Sequence, residues 1–182
     1  SLNFPVTSNA NQTVHNGMED IFITKLNASG NVLEYSSFIG GSQVEYTFSI
    51  ELDNHEDPVV IGYSASDDFF TTPGAFSNSY SGWNDIILIK LDTDSSELQF
   101  ASYFGGSSSD QSVNSCIYNN HTVIFIGTTS SNDISTTSNA YDNTHNGNSD
   151  CLLFKCSFLN NWNISSFRIT HNNSPVTTAY SR

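Results

Sequence analysis

The sequence repeats itself at one fixed interval along its whole length. Residues 17–26 (GMEDIFITKL) return as residues 82–91 (GWNDIILIKL) and again as residues 147–156 (GNSDCLLFKC), so the offset is 65 both times. A fixed period of this size indicates an array of similar structural units, and it constrains the fold more than any single residue does. Residues that recur in every unit are expected to be structural. Function should therefore come from the array as a whole or from positions that break the pattern.

Each unit contains four short segments that are rich in β-branched and aromatic residues and bounded by turn residues. Four antiparallel strands per repeat are typical of a propeller blade, and no segment has an amphipathic helical pattern. We therefore predict an all-β fold of tandem four-stranded antiparallel propeller-like blades. The predicted strands cover residues 20–26, 33–39, 46–52, 58–63, 85–91, 98–104, 112–118, 122–127, a segment that begins at 150, and 162–167.

The predicted blades do not close into a ring within this chain. The 182 residues hold about 2.8 units, whereas propellers close with about 4 to 8 blades. We divide the chain into a repeat array over residues 1–170 and a polar tail over residues 171–182. The array consists of a half unit at about 1–45 and of units at about 46–105 and 106–170. Its ends should expose sheet edges or blade faces, which favour association with another chain.

The polar tail is a candidate for a strand that passes between subunits. Val176, Thr178 and Tyr180 alternate along it after Pro175, as the side chains of an added edge strand would. Two alternatives stay open at this point. The tail could lack a fixed structure, as chain termini often do, or the chain could be a segment of a longer propeller.

The composition argues against several classes of partner. The chain carries 5 Lys and Arg against 18 Asp and Glu, a formal net charge of −13. Nucleic acids and anionic membrane surfaces both require a cationic protein surface. No apolar run approaches the roughly 20 residues that cross a bilayer. Charged residues make up 13% of the chain, and the abundance of Ser, Thr and Asn favours an extracellular or cell-surface location. The start at Ser1 suggests a mature or excised segment.

The sequence contains no motif that predicts catalysis. It has no nucleophile elbow, phosphate-binding loop or metalloprotease motif, and no Cys and His cluster with the spacing of zinc ligands. We therefore expect no enzyme activity, no catalytic residue, no metal site and no cofactor. The acidic turns at residues 53–57 and 92–97 could offer oxygen ligands to Ca²⁺, but neither completes a calcium loop. We favour solvated turns for both.

One acidic and one basic position recur in every unit. The pair Asp20 and Lys25 returns with the same spacing at positions 85 and 90 and again at positions 150 and 155. Side chains separated by an odd number of positions on a strand point to opposite faces. Each should therefore pair with a neighbouring strand or unit and serve the scaffold.

The cysteines and the loop aromatics have competing interpretations. Cys151 and Cys156 fall on opposite faces of one predicted strand and cannot bond each other. One of them could pair with Cys116, although three small buried side chains are the favoured interpretation. The aromatic residues of the connecting segments favour packing over a sugar-binding platform. They are Phe76, Tyr80, Trp83 and Tyr141.

Five sequons for N-linked glycosylation are present, a number close to that expected from the composition alone. Asn27 and Asn120 lie in predicted hairpin turns, where a glycan could project into solvent. The full set of candidate sites is Asn27, Asn120, Asn11, Asn163 and Asn172.

The repeated motifs resemble those of the SBBP-type beta-propeller repeat family. The resemblance rests on residues 20–30 (DIFITKLNASG), 34–42 (EYSSFIGGS), 60–64 (VIGYS) and 68–76 (DFFTTPGAF). It covers nearly the whole array and weakens in the third unit. Membership would imply propeller blades from secreted or surface proteins, and it brings no active site to transfer.

These observations favour a non-enzymatic extracellular structural protein. We expect it to associate head to tail with copies of itself into a filament or surface layer, with N-linked glycans as a further expectation. We expect no nucleic-acid partner and no membrane insertion. The alternative is a carbohydrate-binding or adhesive fragment of a larger secreted beta-propeller, in which glycans would be partners.

Overall fold

The computed structural model describes residues 2–94, 96–118 and 122–158, together with the backbone of residues 164–172. In these parts of the chain every regular element is a β-strand. The strands are β1 (Ile21–Leu26), β2 (Leu33–Ile39), β3 (Glu45–Leu52), β4 (Pro58–Ser64), β5 (Asp85–Asp92), β6 (Glu97–Phe104), β7 (Asp110–Tyr118), β8 (Thr122–Thr129), β9 (Asp150–Phe158) and β10 (Ile164–Asn172).

The strands form three separate antiparallel sheets. Unit 1 contains β1 and β2, unit 2 has the strand order β3-β4-β5-β6, and unit 3 has the order β7-β8-β9-β10. The predicted fold class is confirmed: the protein is all-β, with four-stranded blade-like sheets that do not close into a barrel. The described residues contain no helix of the length and apolarity needed to span a membrane.

The central strand β5 shows why the blades stack. Its residues from Asp85 to Leu91 are all buried, although neighbouring side chains on a strand point to opposite faces. Both faces of unit 2 are therefore covered, one by unit 1 and the other by unit 3. This double burial explains the continuous apolar run at residues 86–89, which a sheet with one solvated face would not tolerate.

The connecting segments repeat with the same period as the strands. The amide of Thr7 donates a hydrogen bond of 3.0 Å to the carbonyl oxygen of Ser36, and the amide of Thr72 donates one of 3.0 Å to that of Ala101. The two donors are one repeat period apart, and so are the two acceptors. The segment before each hairpin therefore lies along the outer strand of its own unit.

The sheet of unit 3 extends slightly into the predicted tail. Strand β10 runs to Asn172, so it includes the first two positions of that segment. The candidate donated strand, with Pro175, Val176, Thr178 and Tyr180, lies outside the described residues.

Candidate interaction faces and polar corners

Each unit has a forward face and a rear face, which we define by the contacts between neighbouring units. The forward face of one unit packs against the rear face of the next, and the two interfaces form two hydrophobic clusters. The forward-face residues are Ile21, Ile23, Tyr35 and Ile39 in unit 1 and Ile86, Leu88, Phe100 and Phe104 in unit 2. The rear-face residues are Val60, Ile87, Ile89 and Leu91 in unit 2 and Phe125, Leu152, Phe154 and Cys156 in unit 3.

The two interfaces are built from equivalent positions. Every forward-face residue of unit 2 follows its unit 1 counterpart by one repeat period, and the rear-face residues of units 2 and 3 are related in the same way. The chain therefore uses one interface twice. The buried side chains of the second interface include more aromatic rings than those of the first.

The forward face of unit 3 is left uncovered in the described residues. Leu153 is 42% exposed, whereas its equivalent Leu88 is fully buried. Ile126 is likewise exposed and its equivalent Ile61 buried. Cys151, which also belongs to this face, is exposed. A surface that is buried in the two earlier units is thus presented to solvent in the third.

The rear face of unit 1 is partly covered by the chain that precedes β1. The ring of Phe4 lies 4.1 Å from that of Phe22, measured between centroids, and 6.2 Å from that of Phe38. Phe22 nevertheless remains 54% exposed, and Leu26 is also about half exposed. Their unit 2 equivalents are buried, so the array presents apolar surface at both ends.

A second repeated feature is a polar corner at each Gly–Gly pair, where the chain passes from one unit to the next. In the first corner the amide of Gly41 donates to Glu45 Oε2 at 2.8 Å. In the second, the amide of Gly106 donates to Asp110 Oδ2 at 2.8 Å. The amides of the next two residues also donate hydrogen bonds, and the acceptors are equivalent in the two corners. They are Asp68 and Ser66 in the first corner and Asp133 and Ser131 in the second.

The second corner brings two buried carboxylates together. A Cβ atom on Gly105 would lie 2.3 Å from Asp85 Oδ1 and 3.0 Å from Asp110 Oδ2, so both side chains crowd the same glycine. Asp85 is 1% exposed, and Oδ1 of each aspartate has no hydrogen-bond partner among the described residues. Burial, together with the negative charges of Asp110 and Asp133, raises the pKa of Asp85 to about 7, although a hydrogen bond from the Ser81 amide lowers it.

The first corner has the same arrangement with a longer side chain. Asp20 Oδ1 and Glu45 Oε2 lie 2.6 and 2.7 Å from the Cβ position of Gly40. Burial raises the pKa of Glu45, while hydrogen bonds from Ser64 and Ser66 oppose the shift. Since equivalent polar groups recur after one repeat period, we interpret the corners as scaffold that orders the chain between units.

The repeated lysines differ in burial. Lys90 is buried, and its Nζ lies 3.0 Å from Asp53 and 3.2 Å from Asp57, both in the turn between β3 and β4. Lys25 pairs with Asp94 of unit 2 at 2.9 Å on a more exposed surface. The expectation that these lysines pair with neighbouring strands or units is confirmed for both.

The acidic turn at residues 53–57 is not the solvated loop that the sequence favoured. Asp53 and Asp57 are buried, because they enclose the ammonium group of Lys90. Burial opposes charge on Asp53, but hydrogen bonds from Lys90 and from two backbone amides outweigh it and lower its pKa. These oxygens are therefore already paired with a cation. No cluster of three or more His, Cys, Asp or Glu side chains in the described residues is arranged to hold a metal ion.

The cysteines also differ from the favoured interpretation. All three are free thiols, and only Cys156 is buried, while Cys116 and Cys151 are exposed. Cys151 and Cys156 occupy opposite faces of β9, as predicted. The expectation of three buried cysteines was wrong because Cys116 and Cys151 lie on the forward side of unit 3, which no further unit covers in the described residues.

The candidate glycosylation sites fall in different environments. Asn27 is half-buried, and its amide nitrogen donates to Asn31 at 3.0 Å. Asn11 is exposed and donates to the carbonyl oxygen of Ser96 at 2.9 Å. Asn120 and Asn163 lie outside the described residues. Asn172 ends β10, where only the backbone is described.

The aromatic residues of the connecting segments divide into two groups. Phe76 stacks on Phe104, with ring centroids 5.2 Å apart, and Tyr80 lies beside Tyr103 at 6.1 Å. The packing expected for these residues is confirmed. Trp83 is 78% exposed and Tyr141 is similarly exposed, so the expectation of packing was wrong for these two.

The repeat alignment would have located two features that reasoning from the sequence missed. Glu45 and Asp110, the acids of the two corners, are one repeat period apart, and so are Leu88 and Leu153. A scan of protein-family models found no match to this chain, and a search of curated proteins found no related sequence.

Proposed function

We propose that this protein is a non-enzymatic structural subunit that associates head to tail through the ends of its blade array. One observation carries the proposal: forward-face positions that are buried in unit 2 are exposed in the described part of unit 3, where they hold Cys151, Leu153 and Ile126. Inside the chain a forward face packs against a rear face, so the matching partner is the half-exposed rear face of unit 1 in another copy. The contact joins two different surfaces, so it propagates into a filament unless its rotation closes a ring.

The chemistry of the two ends supports the pairing. Leu153 and Ile126 on one end and Phe22 and Leu26 on the other are large apolar residues at positions that the internal interfaces bury. Burial of such side chains contributes roughly 1.5–3 kcal/mol each. The net charge of −13 opposes the approach of two copies, so salt should strengthen the association.

The native cysteines provide a direct test. Cys151 lies on the proposed interface, and Cys156 is buried inside the chain. We expect Cys151 of the full chain to react with a thiol reagent at low protein concentration and to become protected as concentration and salt rise, while electron microscopy shows filaments. Cys156 should remain unreactive under both conditions. A compact monomer with reactive Cys151 at high concentration would contradict the proposal.

A matched pair of variants separates the interface from general surface effects. Leu153→Asp places a charge on the forward face of unit 3 and should abolish assembly. Trp83→Asp changes a more exposed apolar side chain in a connecting segment, away from both end faces, and should leave assembly intact. Equal effects of the two substitutions would show that the contact does not use the forward face.

The proposal extends to location and glycosylation. The polar, weakly charged composition and the motif resemblance to SBBP-type repeats support an extracellular or surface protein that carries N-linked glycans at accessible sequons. Glycosylation of Asn27 requires its amide to leave Asn31. Mass spectrometry of native material tests this point, because an unmodified Asn27 peptide would remove that site.

A second candidate function rests on the exposed indole of Trp83. Exposed aromatic rings bind sugars through their faces, so a carbohydrate-binding or adhesive fragment of a larger propeller is the competing proposal. Binding to a glycan array that disappears in Trp83→Ala, without any change in assembly, would favour it. The absence of binding by the unaltered chain would exclude it.

A further inference from the structure

One edge of β1 is open where its counterparts are paired. Strand β5 pairs with β4 and β6, and β9 pairs with β8 and β10. Strand β1 pairs with β2 alone among the strands that the structure describes. Its other edge therefore presents backbone N–H and C=O groups that could bond an added strand.

An apolar groove of about 200 Å³ lies beside this open edge. Its walls come from β1, β3 and β4 and include Phe22, Ile23, Phe48, Ile50 and Val60. Phe22, Phe48 and Ile50 are each about half exposed. The groove thus combines an unpaired strand edge with a surface suited to alternating apolar side chains.

The next interface along the chain shows what belongs in this position. There β4 pairs with the equivalent edge of β5, and its residues Val59 and Ile61 pack with Val123 and Phe125 of unit 3. All four side chains are fully buried. In unit 2 this position is filled by β4, so a strand that resembles β4 would fit the groove beside β1.

The tail of this chain contains such a sequence. Residues 175–181 (PVTTAYS) align without a gap to β4 (PVVIGYS), and four of the seven residues are identical. Val176, Thr178 and Tyr180 fall on the positions of Val59, Ile61 and Tyr63. We propose that residues 175–181 of a second copy add to the open edge of β1 as its missing β4-like strand.

The pairing of β4 with β5 assigns a register. Ser64 lies opposite Asp85 and Gly62 opposite Ile87 in the antiparallel ladder. When residues 175–181 take the place of β4 and β1 takes the place of β5, Ser181 lies opposite Asp20 and Ala179 lies opposite Phe22. Asp20 Oδ1 is buried without a hydrogen-bond partner in the described residues, so the hydroxyl group of Ser181 has an acceptor nearby.

The one small-residue position of β4 is also compatible with the tail. A Cβ atom on Gly62 would lie 1.9 Å from the carbonyl oxygen of Tyr46 in β3. This contact explains the glycine in β4. No strand equivalent to β3 lies next to the open edge of β1 in the described residues, so Ala179 meets no such carbonyl oxygen.

The length of the connection excludes insertion into the same chain. Only residues 173 and 174 separate β10 from Pro175, and the three Cα–Cα steps from Asn172 to Pro175 span at most about 11 Å. Unit 2 lies between units 3 and 1, and two packed sheet spacings amount to roughly 20 Å. Strand addition therefore requires a second copy whose unit 3 stacks on unit 1. If that copy is rotated by 180° about the normal of the sheet, its β10 lies within one sheet spacing, roughly 10 Å, of the open edge of β1. The inference therefore rests on the proposed head-to-tail association.

Disulfide trapping between full-length chains tests the register. The exposed Cys116 and Cys151 are replaced by Ser, and chains carrying Phe22→Cys are mixed with chains carrying Ala179→Cys. A matched control mixes Leu26→Cys with Ala179→Cys, because Leu26 is on the same face of β1 and equally exposed but about 13 Å from the proposed partner. We expect about tenfold more cross-linked heterodimer from the first mixture, since a disulfide requires Cα atoms within about 7 Å.

Two further outcomes separate this inference from the proposed function. Filaments that form normally but cross-link equally at positions 22 and 26, or not at all, would overturn strand addition and leave head-to-tail assembly standing. A chain with both Phe22→Cys and Ala179→Cys that closes only on itself at low concentration would also overturn it. Failure of the unaltered chain to associate by light scattering would overturn the proposed function itself.

Discussion

Replacement of Asp85 by Asn should stabilise the protein, and the gain should be larger at pH 8 than at pH 5. Asp85 is buried beside the carboxylate of Asp110, with one oxygen that has no hydrogen-bond partner in the described residues. Asparagine has the same shape and cannot ionise. Its carbonyl oxygen can still accept from the Ser81 amide, while its amide group faces Gly105 and the carboxylate of Asp110.

The size of the effect follows from the raised pKa of Asp85. Burial moves this pKa from 3.8 to about 7, so the folded state favours the protonated form. The stabilisation is fully present below pH 3.8 and is lost as the pH rises through 7. At about 1.4 kcal/mol per pKa unit, the full linkage is about 4 kcal/mol, of which about 2.5 kcal/mol is lost between pH 5 and pH 8.

Urea unfolding at several pH values measures this difference. The free energy of unfolding of Asp85→Asn minus that of the unaltered chain should rise by about 2.5 kcal/mol from pH 5 to pH 8. Asp133→Asn is the control, because Asp133 is exposed and a hydrogen bond from the Ser107 amide lowers its pKa. Its difference should stay flat over the same range. A flat difference for Asp85→Asn would refute the argument that burial keeps this carboxyl group protonated.

Three further predictions test the packing by urea unfolding. Lys90→Met should lower the free energy of unfolding by about 3–5 kcal/mol, because it leaves two buried carboxylates without their cation. Lys25→Met should lower it by less than about 1 kcal/mol, because its ion pair is exposed. Equal losses would contradict the burial of Lys90. Gly62→Ala should cost about 3 kcal/mol or more, since its Cβ would overlap a carbonyl oxygen of β3; a neutral result would show that β3 moves aside. Leu88→Ala should cost about 2–5 kcal/mol and Leu153→Ala far less; similar costs would show that the forward face of unit 3 is covered.

The repeat made the positions of the strands predictable, but it did not show which strand residues a neighbouring unit would bury. The predicted strands of units 1 and 2 agree with the observed strands to within one residue at each end, because β-branched runs end at Gly, Asn or Asp turns. Periodicity alone could not show that Cys151 is exposed, since its equivalent Ile86 is buried by the following unit. Burial at an interface depends on the neighbour as much as on the residue.

The polar groups were harder to predict for a related reason. Asp53 and Asp57 form a hydrophilic turn in the sequence, and only the fold brings Lys90, from a strand much later in the chain, between them. The carboxylates of the polar corners likewise come from separate segments of the chain. Local sequence shows which side chains can ionise, whereas tertiary packing determines which of them lose water and find partners.

The stability of a linear array should be lowest at its ends, because each unit contacts only its neighbours. Unit 1 has two strands and an open edge at β1, whereas β5 is paired on both sides and buried on both faces. In dilute solution the amides of residues 21–26 should therefore exchange with solvent faster than those of residues 86–91. Assembly should slow exchange in β1 and leave β5 unchanged, because strand addition bonds only the open edge. Protection of β1 that is already complete in the monomer would mean that another part of the same chain covers this edge, and the open edge could then have no role in assembly.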